Sequence, residues 1–123
     1  MNKDLQIAKR AVETEIKGLK KLLKSFNHSS QFSKAVNLIS KAKGKIVVIG
    51  TGKSFIIGNK ISSTLSSLGT PSVAFDSSSL NHGSMGSIQK GFDVLLIFSV
   101  SGETSELNSI LRFSNRNNIP VVG

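Results

Sequence analysis

The chain has no cysteine, tryptophan or tyrosine, only two prolines, and seven acidic residues against sixteen basic ones. Without cysteine there are no disulfides, no thiolate metal ligands and no cysteine nucleophile. Without tryptophan or tyrosine a base-stacking surface has little to be built from. No apolar run approaches the length of a membrane span. The N-terminus is charged from Lys3 onward and lacks the apolar core of a signal peptide, so the expected setting is cytoplasmic, with no membrane partner.

What is present suits one globular domain: 123 residues, 38% hydrophobic and 19% charged. The net charge of +9 is unevenly spread. Residues 1–45 hold eleven Lys and Arg against three acids, and residues 46–123 hold five against four. The excess therefore reads as lysine-rich helix faces rather than a nucleic-acid surface, and no nucleic-acid partner is expected.

Leu5, Ala8, Val12, Ile16, Leu19, Leu22, Leu23 and Phe26 recur at helical spacing. Phe32, Ala35, Val36 and Ile39 mark a second, shorter helix. Such a stripe serves as a dimer contact or packs within the chain, and periodicity does not choose. Beyond Gly44 the pattern changes. Lys45–Ile49, Ser72–Phe75, Asp93–Phe98 and Ile119–Val122 are short, apolar, β-branched runs. Helices separate them: one buries Ile57, Ile61, Leu65 and Leu68 and stops at Gly69, and another runs from about Thr104 to Asn115. Strands alternating with helices predict an α/β fold, a parallel sheet flanked by helices, with an N-terminal helical pair over 1–43 and the sheet domain over 44–123. Ligands of such sheets sit at the carboxyl ends of the strands.

Two turns at those ends carry anion chemistry. Ser99-Val100-Ser101-Gly102-Glu103-Thr104 offers hydroxyls and a glycine just before a helix, whose first amides are unpartnered and whose dipole is positive there. Gly50-Thr51-Gly52-Lys53-Ser54 is a tight strand-to-helix turn with a lysine. It is neither a nucleotide P-loop nor a dinucleotide fingerprint, because Val47 and Phe55 stand where those motifs need glycine. His82 lies on a glycine-flanked loop after another strand, while His28 sits in the link between two helices. Glu103 and Glu106 open the last helix, where acids cap the dipole or serve as proton carriers. No metal site is expected.

These motifs together resemble the sugar isomerase (SIS) domain, and within it the arabinose 5-phosphate isomerases. The resemblance rests on Gly-x-Gly-Lys-Ser at 50–54, Gly-Thr-Pro at 69–71, His-Gly-x-x-Gly at 82–86 and Ser-Gly-Glu-Thr-Ser-Glu at 101–106, in order, over roughly residues 40–123. It implies a flavodoxin-like three-layer sandwich and interconversion of D-arabinose 5-phosphate and D-ribulose 5-phosphate through an enediol, a step toward a lipopolysaccharide sugar. Carried over by position, Lys53 and Glu106 are the expected catalytic residues. Ser54, Gly69, Thr70, His82, Ser99, Ser101 and Thr104 are the expected substrate contacts. No cofactor is implied, and the expected partners are a pentose 5-phosphate and further copies of the chain. Asp76 stands where the relatives commonly have a histidine. The pattern stops after the fourth strand, so an incomplete domain is expected, retaining sugar-phosphate binding more readily than full turnover. The alternatives are a non-catalytic sugar-phosphate-binding SIS module or an inactive fragment.

Overall fold

The computed structural model describes every residue except Met1, Ser29, Glu103 and Thr104, together with the side chain of His28. The chain divides into two compact units, Met1–Lys34 and Ala35–Gly123. The division falls inside a helix, and Ile39 and Ala42 pack on the sheet.

The first unit holds helix α1 (Lys3–Ser25), a 3-10 turn (Phe26–His28) and the start of α2 (Ser30–Ser40). The Asn2 side chain caps α1 by accepting from the Asp4 N–H at 3.1 Å, satisfying one of the open amides of the first turn. The Phe26 and Phe32 rings meet at a tilted 5.2 Å between centroids, closing the corner between α1 and α2.

The second unit is a parallel sheet, as the sequence predicts. Its described strands are β1 (Ile46–Gly50), β2 (Ser72–Asp76), β3 (Val94–Phe98) and β4 (Val121–Val122), in the spatial order β2-β1-β3-β4. Between them come α3 (Lys53–Ser67), α4 (Ser77–Leu80), a 3-10 turn (Ser84–Ser87) and α5 (Ser105–Asn117). β1 lies between β2 and β3 and is buried along its whole length. Its side chains alternate. Val47 and Ile49 join Leu107 and Ile110 of α5 and Leu80 of α4, while Ile46 and Val48 face Leu65 of α3 with Ile39 and Ala42. Helices therefore cover both faces.

The inward face of α3 differs from expectation. Ile57 and Leu68 are 56% and 78% exposed, and the buried residues of α3 are Gly58 and Ser62. The reason is close approach: a Cβ on Gly58 would sit 2.9 Å from Val48 Cγ1. Small residues thus bring the helix onto β1. Ser72 Oγ donates to the Ile46 carbonyl at 2.9 Å and lies 2.9 Å from Ser62 Oγ, whose proton can complete that pair.

At the amino end of the sheet Asp93 is 1% exposed and accepts from three donors. These are the Lys45 N–H at 2.9 Å, Lys45 Nζ at 2.6 Å and the Gln89 N–H at 2.8 Å. Burial pushes its carboxyl up, but the Gln89 amide and the Lys45 donors outweigh that and hold it below its ordinary value.

Candidate functional site

The strand order reverses direction at β1: the chain leaves β1 for β2 on one side and then returns to β3 on the other. The crevice between the carboxyl ends of β1 and β3 is the topological switch point, the usual ligand position in open α/β sheets. Both anion-type turns open there.

On the β1 side, Gly50 ends the strand and the chain turns sharply into α3. A Cβ on Gly50 would lie 2.6 Å from the Ser54 carbonyl carbon and 2.7 Å from the Phe55 nitrogen, so only glycine admits this turn. Gly52 is the N-cap at φ 58 and brings no side-chain cap. The Ser54 N–H turns back to the Thr51 carbonyl at 3.1 Å, and no cap side chain takes the remaining amides of the first turn. Lys53 is the first helical residue and is exposed, and Ser54 behind it is half-buried.

On the β3 side, Ser99 follows the strand, and its hydroxyl accepts from the Gly102 N–H at 2.8 Å. That bond curls residues 99–102 into a compact turn and leaves the Ser99 proton uncommitted among the described residues. Ser99, Ser101 and Gly102 are all exposed. Thr104 and Glu103, both singled out from the sequence, lie outside the described residues. Glu106 stands in the first turn of α5 and is half-buried.

The link between the two sides is Ser77, which sequence reasoning passed over. It is fully buried at the end of β2. Its Oγ is 2.5 Å from Thr51 Oγ1 in the lysine turn and 3.4 Å from Glu106 Oε2. A hydroxyl has one proton. When Ser77 donates to the carboxylate, Thr51 must donate to Ser77. A second tie joins α5 to the histidine loop, where Ser109 Oγ is 2.9 Å from Asn81 Oδ1. His82 follows Asn81 and is exposed. The only prior signal for Ser77 was its place immediately after a strand end in a hydroxyl-rich run.

Asp76, just before Ser77, caps α4: its Oδ1 accepts from the Ser78 N–H at 3.0 Å and from Ser78 Oγ at 2.8 Å. The Ser78 backbone and hydroxyl bonds hold its carboxyl below the ordinary value, against a smaller cost of burial, and the Gly52 N–H adds to the effect. Asp76 therefore ties the β2 end to the lysine turn.

Lys53, Ser54, Ser99, Ser101, Glu106 and the His82 loop thus gather at one edge of the sheet. Gly69 and Thr70 do not. They precede β2, at its amino end, whereas Asp76 is the last residue of that strand. Their local work is to stop α3: Gly69 takes φ 92, and the Thr70 N–H donates to the Leu65 carbonyl at 2.9 Å.

The SIS domain family matches residues 38–123, which takes in every strand and both anion-type turns. The chain belongs to the SIS domain family. This SIS chain is a relative of the arabinose 5-phosphate isomerases. It is 43% identical over 91 residues to arabinose 5-phosphate isomerase KdsD of Pseudomonas aeruginosa, covering 74% of this chain and 28% of that protein. It is 35% identical over 117 residues to KdsD of Yersinia pestis, covering 95% and 35%. Among solved structures, an Escherichia coli CFT073 protein in complex with arabinose 5-phosphate superposes with a TM-score of 0.84 at 30% identity. That match covers 98% of this chain and 64% of the other. The chain spans about a third of the length of these curated relatives. No described helix is long and apolar enough to cross a membrane.

Proposed function

We propose that this chain binds a pentose 5-phosphate at the β1–β3 crevice and interconverts D-arabinose 5-phosphate and D-ribulose 5-phosphate. The observation that carries the reading is the single edge that gathers the Lys53 turn, the Ser99–Gly102 turn and the Ser77-bonded Glu106. The arabinose 5-phosphate bound to a structural relative that overlies nearly all of this chain supports the same ligand class.

In this reading Ser99, Ser101, Thr104 and the open amides of the adjoining helix hold the phosphate. Glu106 takes the proton from the carbon next to the carbonyl and returns it to the former carbonyl carbon. The hydroxyl proton meanwhile passes to the former carbonyl oxygen. The enediol between the two steps carries developing negative charge on oxygen, and the Lys53 ammonium is placed to offset it. Ser77 occupies one oxygen of Glu106 and leaves the other for substrate. His82 and Ser54 contact the sugar. The chain works in the cytoplasm as a homo-oligomer, in the supply of a lipopolysaccharide sugar.

A second reading is binding without turnover. It is favoured by Asp76, whose Oδ1 is engaged by two Ser78 donors and which is therefore poorly placed as a second proton carrier.

Turnover of arabinose 5-phosphate by the purified chain, with thermal shift alongside, separates the two. Turnover that falls steeply in Lys53→Ala and Glu106→Gln, and less in Glu103→Gln, supports the isomerase. Stabilisation by the sugar phosphate without turnover supports the binding module. A folded chain that shows neither rejects both.

A further inference from the structure

We propose that Thr51 is a positioning residue for Glu106: it acts through the buried Ser77 hydroxyl and leaves Oε1 as the oxygen that moves the proton. The inference rests on the proposed role of Glu106 and names what holds that carboxylate in place.

Strand pairing brings the two hydroxyls together. Gly50 of β1 lies beside Asp76 of β2 in the parallel register, so Thr51 and Ser77 are the next residues on neighbouring strand ends. Both positions are fixed. The close approach of Gly50 to Ser54 and Phe55 sets the turn that carries Thr51, and Ser77 is fully buried at the start of α4. Glu106 arrives from a third element. Leu107 and Ile110 anchor α5 in the core, but the Glu106 side chain keeps its own torsional freedom. The bond from Ser77 to Oε2 selects among its rotamers.

Proton counting gives the chain of bonds a direction. An ionised carboxylate only accepts, and a hydroxyl has a single proton. With Ser77 donating to Oε2, the proton between Thr51 and Ser77 must come from Thr51. Each bond in such a chain polarises the next, so the Thr51 donor strengthens the hold of Ser77 on Glu106. Oε2 is then occupied. A proton placed on Oε2 would force both hydroxyls to reverse, whereas a proton on Oε1 disturbs neither. The Ser77–Glu106 bond is long at 3.4 Å, as catalytic hydrogen bonds often are before substrate binds. The Thr51–Ser77 link is already short at 2.5 Å.

The test uses the whole chain with carbon-13 in its glutamate carboxyls, and Glu106→Gln assigns the Glu106 signal among the four glutamates. Thr51→Val removes the hydroxyl and keeps the shape; Thr51→Ser keeps the hydroxyl. Thr51 is exposed, so both variants should fold. Thr51→Val is expected to displace the Glu106 carboxyl signal and Thr51→Ser to leave it near its place. In a Ser77→Ala background Thr51→Val should add nothing. A Glu106 signal that ignores Thr51→Val, or that moves equally in the Ser77→Ala background, overturns the proposal.

Steady-state kinetics give the second arm. Thr51→Val should lower kcat about 10-fold with KM unchanged, and Thr51→Ser should recover most of that loss. A rise in KM with kcat unchanged, or equal losses in the two variants, overturns positioning through the hydroxyl. A carboxyl signal that responds as expected in a chain without turnover rejects the isomerase reading and leaves the coupling of Thr51 to Glu106 standing.

Discussion

At the amino end of β1 and β3 the polar groups have found one another. Asp93 is 1% exposed, and both of its oxygens are bonded by Lys45 and Gln89. At the carboxyl end of the same two strands the groups are of similar polarity but loosely spent. Lys53 and Ser99 are exposed, the α3 cap is a bare glycine, and the bond from Ser77 to Glu106 is a long 3.4 Å. One sheet thus carries a structural end and, under the proposed function, a reactive end. The difference lies in satisfaction rather than in residue type: donors that close on internal acceptors stabilise the fold, and donors held open by glycine turns remain for a ligand.

The sharpest way to break this contrast is at the structural end. Asp93→Ala leaves the Lys45 and Gln89 donors without their acceptor and should cost about 3 kcal/mol of folding stability, read by urea unfolding. Sugar-phosphate affinity of the folded protein should hold. A loss of affinity in proportion to stability would mean that the two ends are not separable.

At the reactive end the effects should be reversed. Lys53→Ala and Glu106→Gln should each lower isomerase turnover by about 100-fold or more. The urea midpoint should correspond to a change within about 0.5 kcal/mol, as for other surface substitutions. Steady-state kinetics and unfolding on the same preparations check both halves.

Ser77→Ala tests a buried hydroxyl at the reactive end. It removes the hydroxyl that donates to Glu106 and accepts from Thr51, and both partners have access to water. Stability should fall by about 1 kcal/mol. A cost approaching that of Asp93→Ala would place Ser77 with the structural end.

The smallest effect is on acid stability. Asp93 has its folded-state carboxyl held below the ordinary 3.8. The stability it contributes is full above that value and is lost as pH falls through the lower folded-state value. Urea midpoints taken from pH 6 downward should drop in this window for the unmodified protein. In Asp93→Asn the drop should be shallower, because the group that titrates is gone.

Much of this was legible before any coordinates. The unbroken apolar, β-branched run Ile46–Ile49 announced a strand buried on both faces, and its side chains divide between the two. The two glycine- and serine-bearing turns were placed at the correct end, because a parallel sheet joined by helices leaves no other. The face of α3 was misjudged. Ile57 and Leu68 fit a hydrophobic pattern better than Gly58 and Ser62 do, yet distance to Val48 selects the small pair. Ser77 was missed because one serine among three consecutive serines carries no periodic or compositional mark.

By itself the sequence determined the class of the fold, the order of its elements, the family and the chemistry of the two turns. All of these are written in local patterns of period, glycine and charge. Only the tertiary structure decided which of those residues meet. It joined Thr51, Ser77 and Glu106 from three elements through hydroxyls too short-ranged to leave a pattern along the chain. It also carried Gly69 and Thr70 to the opposite edge, because every parallel crossover returns the chain to the amino end of the sheet before the next strand begins.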